Sequence, residues 1–194
     1  MMEILYKISL IEWFGVFFSV VQVLLAQRNN INNYLFGIAG TTLTLYVMFT
    51  SKLYAEFTLN MYYLIMSIYG WFYWKFGTQK QETPITKSTN HELFKAIVII
   101  ILSFSVFYYS LIHFTNSDVP FVDALIAAFA WAGMWLMAKR KLENWLFLNV
   151  SNIISIPLML HKQLYLYAIL SIILFVVAIF GYIHWKNILK KSRS

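Results

Sequence analysis

Apolar positions along this chain come in blocks of roughly twenty, and polar positions collect in the short intervals between them. A helix rises about 1.5 Å per residue and a bilayer's hydrocarbon core is about 30 Å thick, so about 20 apolar residues make one crossing. Seven blocks approach that length: about 8–27, 31–50, 53–75, 94–114, 119–138, 143–160 and 164–185. They predict an all-α integral membrane fold with seven transmembrane helices, forming a single membrane domain over 1–194. Most intervals are very short, so neighbouring helices should run antiparallel. The one long polar interval is 76–92, FGTQKQETPITKSTNHE. The first block is a poor signal peptide, because Glu12 and Trp13 interrupt it and only Lys7 precedes it.

Composition agrees with a bilayer as solvent. Hydrophobic residues make up 60% of the chain, charged residues 12%, and the mean hydropathy is +0.66; soluble domains carry about 25% charged residues. The absence of cysteine excludes disulfides, thiolate metal sites and a cysteine nucleophile. The net charge of +7 could point to nucleic acid, but its distribution points to topology. Seven spans place the termini on opposite sides. Lys7, Lys52 and Lys162 fall on one side. Arg28, Lys75, Lys80, Lys87, Lys95, Lys139, Arg140, Lys141, Lys186, Lys190, Lys191 and Arg193 fall on the other. The positive-inside rule then puts the N-terminus outside and the C-terminus in the cytoplasm, in a cell's inner membrane.

Sliding the chain over itself by 111 residues lays 11–75 on 122–186 without a gap. Glu12 meets Asp123, NNYLF meets ENWLF, and YGWFYWK (69–75) meets FGYIHWK (180–186). A restricted membrane alphabet also makes matches by chance, but chance would scatter them, and here turns and ends coincide. The expected arrangement is 3+1+3: repeat A over 8–75, a connector helix over 94–114, and repeat B over 119–187. The extra crossing makes the two three-helix repeats parallel, an architecture that in transporters places the substrate between halves near the midplane. The repeated Trp-Lys fits an interfacial anchor, with Trp74 and Trp185 at headgroup level.

Candidate site residues follow from polar groups inside spans. Trp145, Leu148, Asn149, Asn152 and Met159 share one face of span 6. Amides there are costly unless they face protein, water or ligand, so they read either as ligand contacts or as interhelical hydrogen bonds. Pro157 removes a backbone bond beside that face. Span 3 carries Asn60, Tyr63, Ser67, Trp71 and Trp74, a stripe that suits either a flat, polar-edged ligand or plain packing. Glu12 and Asp123 open spans 1 and 5, and Glu56 opens span 3, with no Lys or Arg deep in a span to pair with them. They read either as an attraction for a cationic solute, helped by cation–π contact, or as interfacial solvation at helix starts. Gly37 and Gly40 should allow close helix contact. No paired histidines at metal spacing, Walker loop or nucleophile motif is present. Neither an enzyme nor a metal or cofactor site is expected.

With seven spans as 3+1+3, YGWFYWK ending span 3, VDALIAA opening span 5 and AKRKLENW entering span 6, the chain resembles the PnuC-type vitamin transporters over about 8–187. The resemblance implies uptake of a vitamin precursor, chiefly nicotinamide riboside, or thiamine as in the PnuT-like subgroup. It further implies facilitated diffusion, trapping by a cytoplasmic vitamin kinase, and a homotrimer. The family's span-6 motif, Trp-x2-Trp-x3-Asn-x6-Tyr, is met here by Trp145 and Asn152. Leu148 replaces its second Trp and Met159 its Tyr. Losing two rings should weaken stacking on a pyridinium riboside, and Asn149 adds a polar group, so the expectation leans slightly to thiamine. Two other readings remain: a SWEET-like carrier of a neutral sugar, and a non-transporting membrane scaffold.

Overall fold

A computed structural model describes residues 10–50, 54–77, 83–115 and 117–191, and for Glu12 and Glu56 the backbone only. Seven helices follow one another: α1 Leu10–Gln27, α2 Asn33–Thr50, α3 Tyr54–Phe76, α4 Asn90–Phe114, α5 Pro120–Ala138, α6 Asn144–His161 and α7 Tyr165–Lys191. All seven predicted spans are helices. α4 starts at Asn90 rather than 94 because Thr89 and Glu92 form a capping box, each side chain bonding the other's backbone N–H. α7 runs beyond 185 to Lys191, with Leu189 buried in the core. Pro157 is accommodated inside α6.

Three helices, α4, α5 and α7, are long and apolar enough to cross a membrane on length and composition. α2, α3 and α6 fall short because Thr41, Thr44, Asn60, Asn149 and Asn152 interrupt them. Large apolar side chains are exposed on the outward faces of the helices. On α4 alone Phe94, Ile97, Ile101, Leu102, Val106 and Tyr109 are exposed, as a lipid-facing helix requires.

Packing closes six of the helices into a ring. α1 packs on α2, α2 on α3, α3 on α5, α5 on α6, α6 on α7, and α7 back on α1; α4 packs against α5 outside the ring. Small residues set the α4–α5 seam, where Ala96 meets Ala132 beside Leu136. On α2, a Cβ added to Gly40 would lie 3.0 Å from Phe18 Cβ of α1, so glycine brings those two helices together.

The turns that end α1 and α5 are alike. Asn29 and Arg140 each take a positive φ, 55° and 56°. Asn33 Nδ2 donates to the Asn30 carbonyl at 2.7 Å, and Asn144 Nδ2 donates to the Lys141 carbonyl at 2.6 Å. Arg140 Nε donates across to Asn29 Oδ1 at 2.9 Å, joining two residues 111 apart in sequence.

Candidate functional site

A cavity of about 300 Å³ lies inside the ring, and every ring helix lines it. Span 6 contributes Trp145, Leu148 and Asn152, and span 3 contributes Asn60, Tyr63 and Ser67. The sequence reading missed the contribution of α1 and α2: Ser19, Gln22, Thr41 and Thr44. All four are polar residues inside apolar helices, and the rule that singled out Asn152 applies equally to Gln22. Among the described residues the lining holds no Asp, Glu, Lys, Arg or His.

Trp145 is 1% exposed, and its Nε1–H has no hydrogen-bond partner among the described residues. A buried donor left unpaired costs about 1–3 kcal/mol, and Trp145 lines the cavity. Gly181 is why the ring fits: an added Cβ there would stand 2.6 Å from the indole. Asn149 Oδ1 is likewise buried without a partner, but Asn149 does not line the cavity. Asn60 does, with Nδ2 3.4 Å from Met48 Sδ.

The remaining predicted residues lie elsewhere. Trp71 packs at the edge of the core, with Lys75 Nζ 4.6 Å above its ring. Trp74 and Trp185 are not headgroup anchors, and that expectation is corrected: both are 0% exposed. Their ring centroids are 5.7 Å apart. Trp74 Nε1 donates to the Met137 carbonyl at 3.0 Å, and Trp185 Nε1 donates to the Ala26 carbonyl at 3.1 Å. A Trp-Lys pair at a span end fits lipid headgroups and a protein core equally well; the carbonyls at the ends of α5 and α1 decide in favour of the core. Arg140 stacks over Trp74 at 4.4 Å. Arg140 also donates from Nη1 to the Thr83 carbonyl. Indoles, guanidinium and the 83–89 segment therefore form a floor beneath the cavity.

Asp123 also has a cationic partner that the sequence reading did not foresee. Lys162 Nζ, from the α6–α7 turn, donates to Asp123 Oδ2 at 2.7 Å, and Ser117 Oγ donates to the same oxygen at 2.6 Å. This acid sits in an ion pair away from the cavity. The side chain of Glu12, its counterpart, lies outside the described residues.

The arrangement can hold a small solute by ring faces and amides, with no charged group, metal cluster or nucleophile among the described residues at the cavity. The chain is 25% identical over 217 residues to the nicotinamide riboside transporter PnuC of Escherichia coli K12, covering 97% of this chain and 90% of that protein. It is 26% identical over 186 residues to the nicotinamide riboside transporter PnuC of Neisseria mucosa, covering 89% of this chain and 70% of that one. A crystal structure of the vitamin B3 transporter PnuC superimposes with a TM-score of 0.71 at 23% identity, over 92% of this chain and 81% of that one, and shares the fold. The family described as nicotinamide mononucleotide transporter matches residues 9–187. With a match along nearly its whole length, the chain belongs to this PnuC-type family of membrane transporters and is not an enzyme.

Proposed function

We propose that this protein carries a small, unphosphorylated, ring-bearing vitamin precursor across the cytoplasmic membrane through the ring cavity. The observation that carries the reading is the uncharged lining, in which Trp145 and Tyr63 supply ring faces and Gln22, Asn60 and Asn152 supply amides. The volume, about 300 Å³, is at the lower end of small-molecule sites, roughly 300–1,000 Å³. A phosphate dianion stripped of water needs Arg, Lys or a metal, and none lines this cavity. A riboside or thiamine therefore fits better than a mononucleotide. Either solute carries one delocalised positive charge, which ring faces can balance. Thiamine is slightly favoured, because Leu148 and Met159 stand where the family motif has rings.

We further read the ring as two parallel three-helix repeats, α1–α3 and α5–α7, with α4 as connector. Support comes from the turns at Asn29 and Arg140 and from the reciprocal bonds of Trp74 and Trp185, all offset by 111 residues. Rocking one triplet against the other would open the cavity alternately to each side. The clustered basic residues support a reading with the floor and the C-terminus in the cytoplasm. The resemblance implies that transport is facilitated diffusion and that a cytoplasmic kinase retains the solute by phosphorylating it. A homotrimer is the assembly that the resemblance implies.

The same absence of charge favours a second reading, a carrier of a neutral sugar. Titration of the purified protein, followed by tryptophan fluorescence, separates these. Saturable quenching by thiamine or nicotinamide riboside, with none by nicotinamide mononucleotide or glucose, is the expected result. Binding of glucose alone would overturn the vitamin reading.

A further inference from the structure

The amide of Gln22 has a built seat. On α2, a Cβ added to Gly37 would stand 2.8 Å from Gln22 Nε2, 2.9 Å from Cδ and 3.1 Å from Oε1. The whole amide therefore lies flat over the glycine. At the corresponding positions of the second half the two partners are exchanged. A Cβ added to Gly133 of α5 would stand 2.7 Å from Cγ and Cδ2 of Leu148 on α6. One side of the cavity presents an aliphatic end from α6, and the other presents an amide from α1.

An amide in the apolar interior of a membrane bundle usually serves as interhelical glue. Gln22 does not: among the described residues no side chain or carbonyl forms a hydrogen bond with it, and it lines the cavity. Its donor and acceptor both remain for whatever enters. A primary amide offers one N–H and one C=O side by side, so it pairs in two-pronged fashion with a partner edge that also carries an adjacent donor and acceptor. A ring-borne carboxamide has that edge, and so does an aminopyrimidine.

We infer that Gln22, held in place by Gly37, is the specificity-determining residue that reads the donor–acceptor edge of the solute's aromatic ring. Leu148 and Trp145 contact the ring's apolar surface on the opposing helix. The inference rests on the carrier reading, because it names what that cavity recognises. Sites built to hydrogen-bond a polar edge discriminate far more sharply than apolar pockets do, since their own groups are otherwise left unpaired.

The test uses the purified full chain with thiamine and nicotinamide riboside as probes, titrated by tryptophan fluorescence. Five proteins are compared: the parent, Gln22→Leu, Gln22→Met as a second apolar replacement, Gly37→Ala, and Gln22→Leu combined with Gly37→Ala. For whichever probe the parent binds, Gln22→Leu and Gln22→Met should weaken binding about ten- to a hundredfold. Gly37→Ala should weaken it by pushing the amide aside. In the Gln22→Leu background Gly37→Ala should change affinity less than twofold, because no amide remains to be displaced. Affinity within threefold of the parent in both Gln22 variants would overturn the inference while leaving the carrier intact. Equal loss from Gly37→Ala in both backgrounds would also overturn it, since the glycine would then act through helix packing. A parent that binds neither probe would overturn the carrier reading itself, and the inference with it.

Discussion

Trp74 and Trp185 meet at the centre of the floor, 5.7 Å apart, each bonded to the last turn of a helix in the other half. The two bonds are not equally backed up. The Met137 carbonyl that accepts from Trp74 also accepts from Tyr34 Oη at 3.3 Å. Both it and the Ala26 carbonyl accept one further turn N–H, from Arg140 and Asn29 respectively. Replacing an indole by phenyl removes the donor but keeps a ring. Trp185→Phe should therefore cost more than Trp74→Phe, about 1–3 kcal/mol against about 1 kcal/mol or less. Thermal unfolding of the two variants in one detergent measures the difference; equal midpoints would refute the ordering.

Glycines at the same floor fix two rings from below. A Cβ at Gly70 would stand 2.5 Å from the Tyr34 ring, and one at Gly181 would stand 2.6 Å from the Trp145 ring. Rings so packed cannot retreat as a flexible chain end can. Gly70→Ala and Gly181→Ala should each destabilise by about 1–3 kcal/mol. Gly15→Ala, where nothing lies within 4 Å, should leave the unfolding midpoint unchanged or slightly raised. The Gly181 variant should in addition quench less on solute titration, because Trp145 is displaced.

Much of this architecture is legible in the sequence, for identifiable reasons. Length and apolarity alone place seven helices, since each must satisfy its own backbone in lipid. The 111-residue offset points at Trp145 and Tyr34 as counterparts, and each ring lies against a glycine, Gly181 and Gly70, at the same offset. What the sequence hides is which polar groups meet each other. Asp123 looks unpaired because its partner, Lys162, lies beyond the next helix. Trp74 looks interfacial because the carbonyl it bonds belongs to α5, 63 residues away. Gln22 and Ser19 share a face of α1 that lines the cavity, and a single amide in an apolar helix is already expensive.

The 83–89 segment should make stability pH-dependent through Glu92. Partial burial raises the Glu92 carboxyl, but the bond from Lys141 and the Thr89 backbone N–H outweigh it and hold the group below its ordinary 4.5. Lys141 Nζ is 2.8 Å away. A lowered carboxyl stabilises the fold above its ordinary value, and the contribution is lost as pH falls through the lowered value. Glu92→Gln should therefore lower the unfolding midpoint at pH 7, by about 1 kcal/mol or less for a partly exposed pair. As pH falls below 4.5 and through the lowered value, the gap between variant and parent should close. A gap that persists unchanged at low pH would show that the carboxylate is not the source.

Asp123 and Lys162 offer a test of whether the outer ion pair serves the solute or the fold. The pair is partly buried, with side chains 19% and 24% exposed. Asp123→Asn and Lys162→Met should each lower stability. Their combined effect should fall short of the sum by about 0.5–1 kcal/mol, the coupling of a partly screened pair. Affinity for a cationic solute should move less than threefold, because Asp123 does not line the cavity. A large loss of thiamine affinity in Asp123→Asn would instead assign the acid to solute attraction.

Leu148 is where substrate preference should be most easily moved. It lines the cavity three residues after Trp145, at the position where the family motif carries a second tryptophan. Its side chain lies over Gly133 of α5, which has no Cβ to crowd a larger group at 148. Leu148→Trp would restore a second ring face, and ring stacking contributes about 1–3 kcal/mol per ring. The expected outcome is a tenfold or greater gain in affinity for nicotinamide riboside over thiamine, read by titration of both. The gain depends on the glycine, so Leu148→Trp combined with Gly133→Ala should lose it, the added Cβ meeting the indole. If Leu148→Trp strengthens both solutes alike, the ring at 148 supplies general stacking, and the preference is set instead by the amides of Gln22 and Asn152.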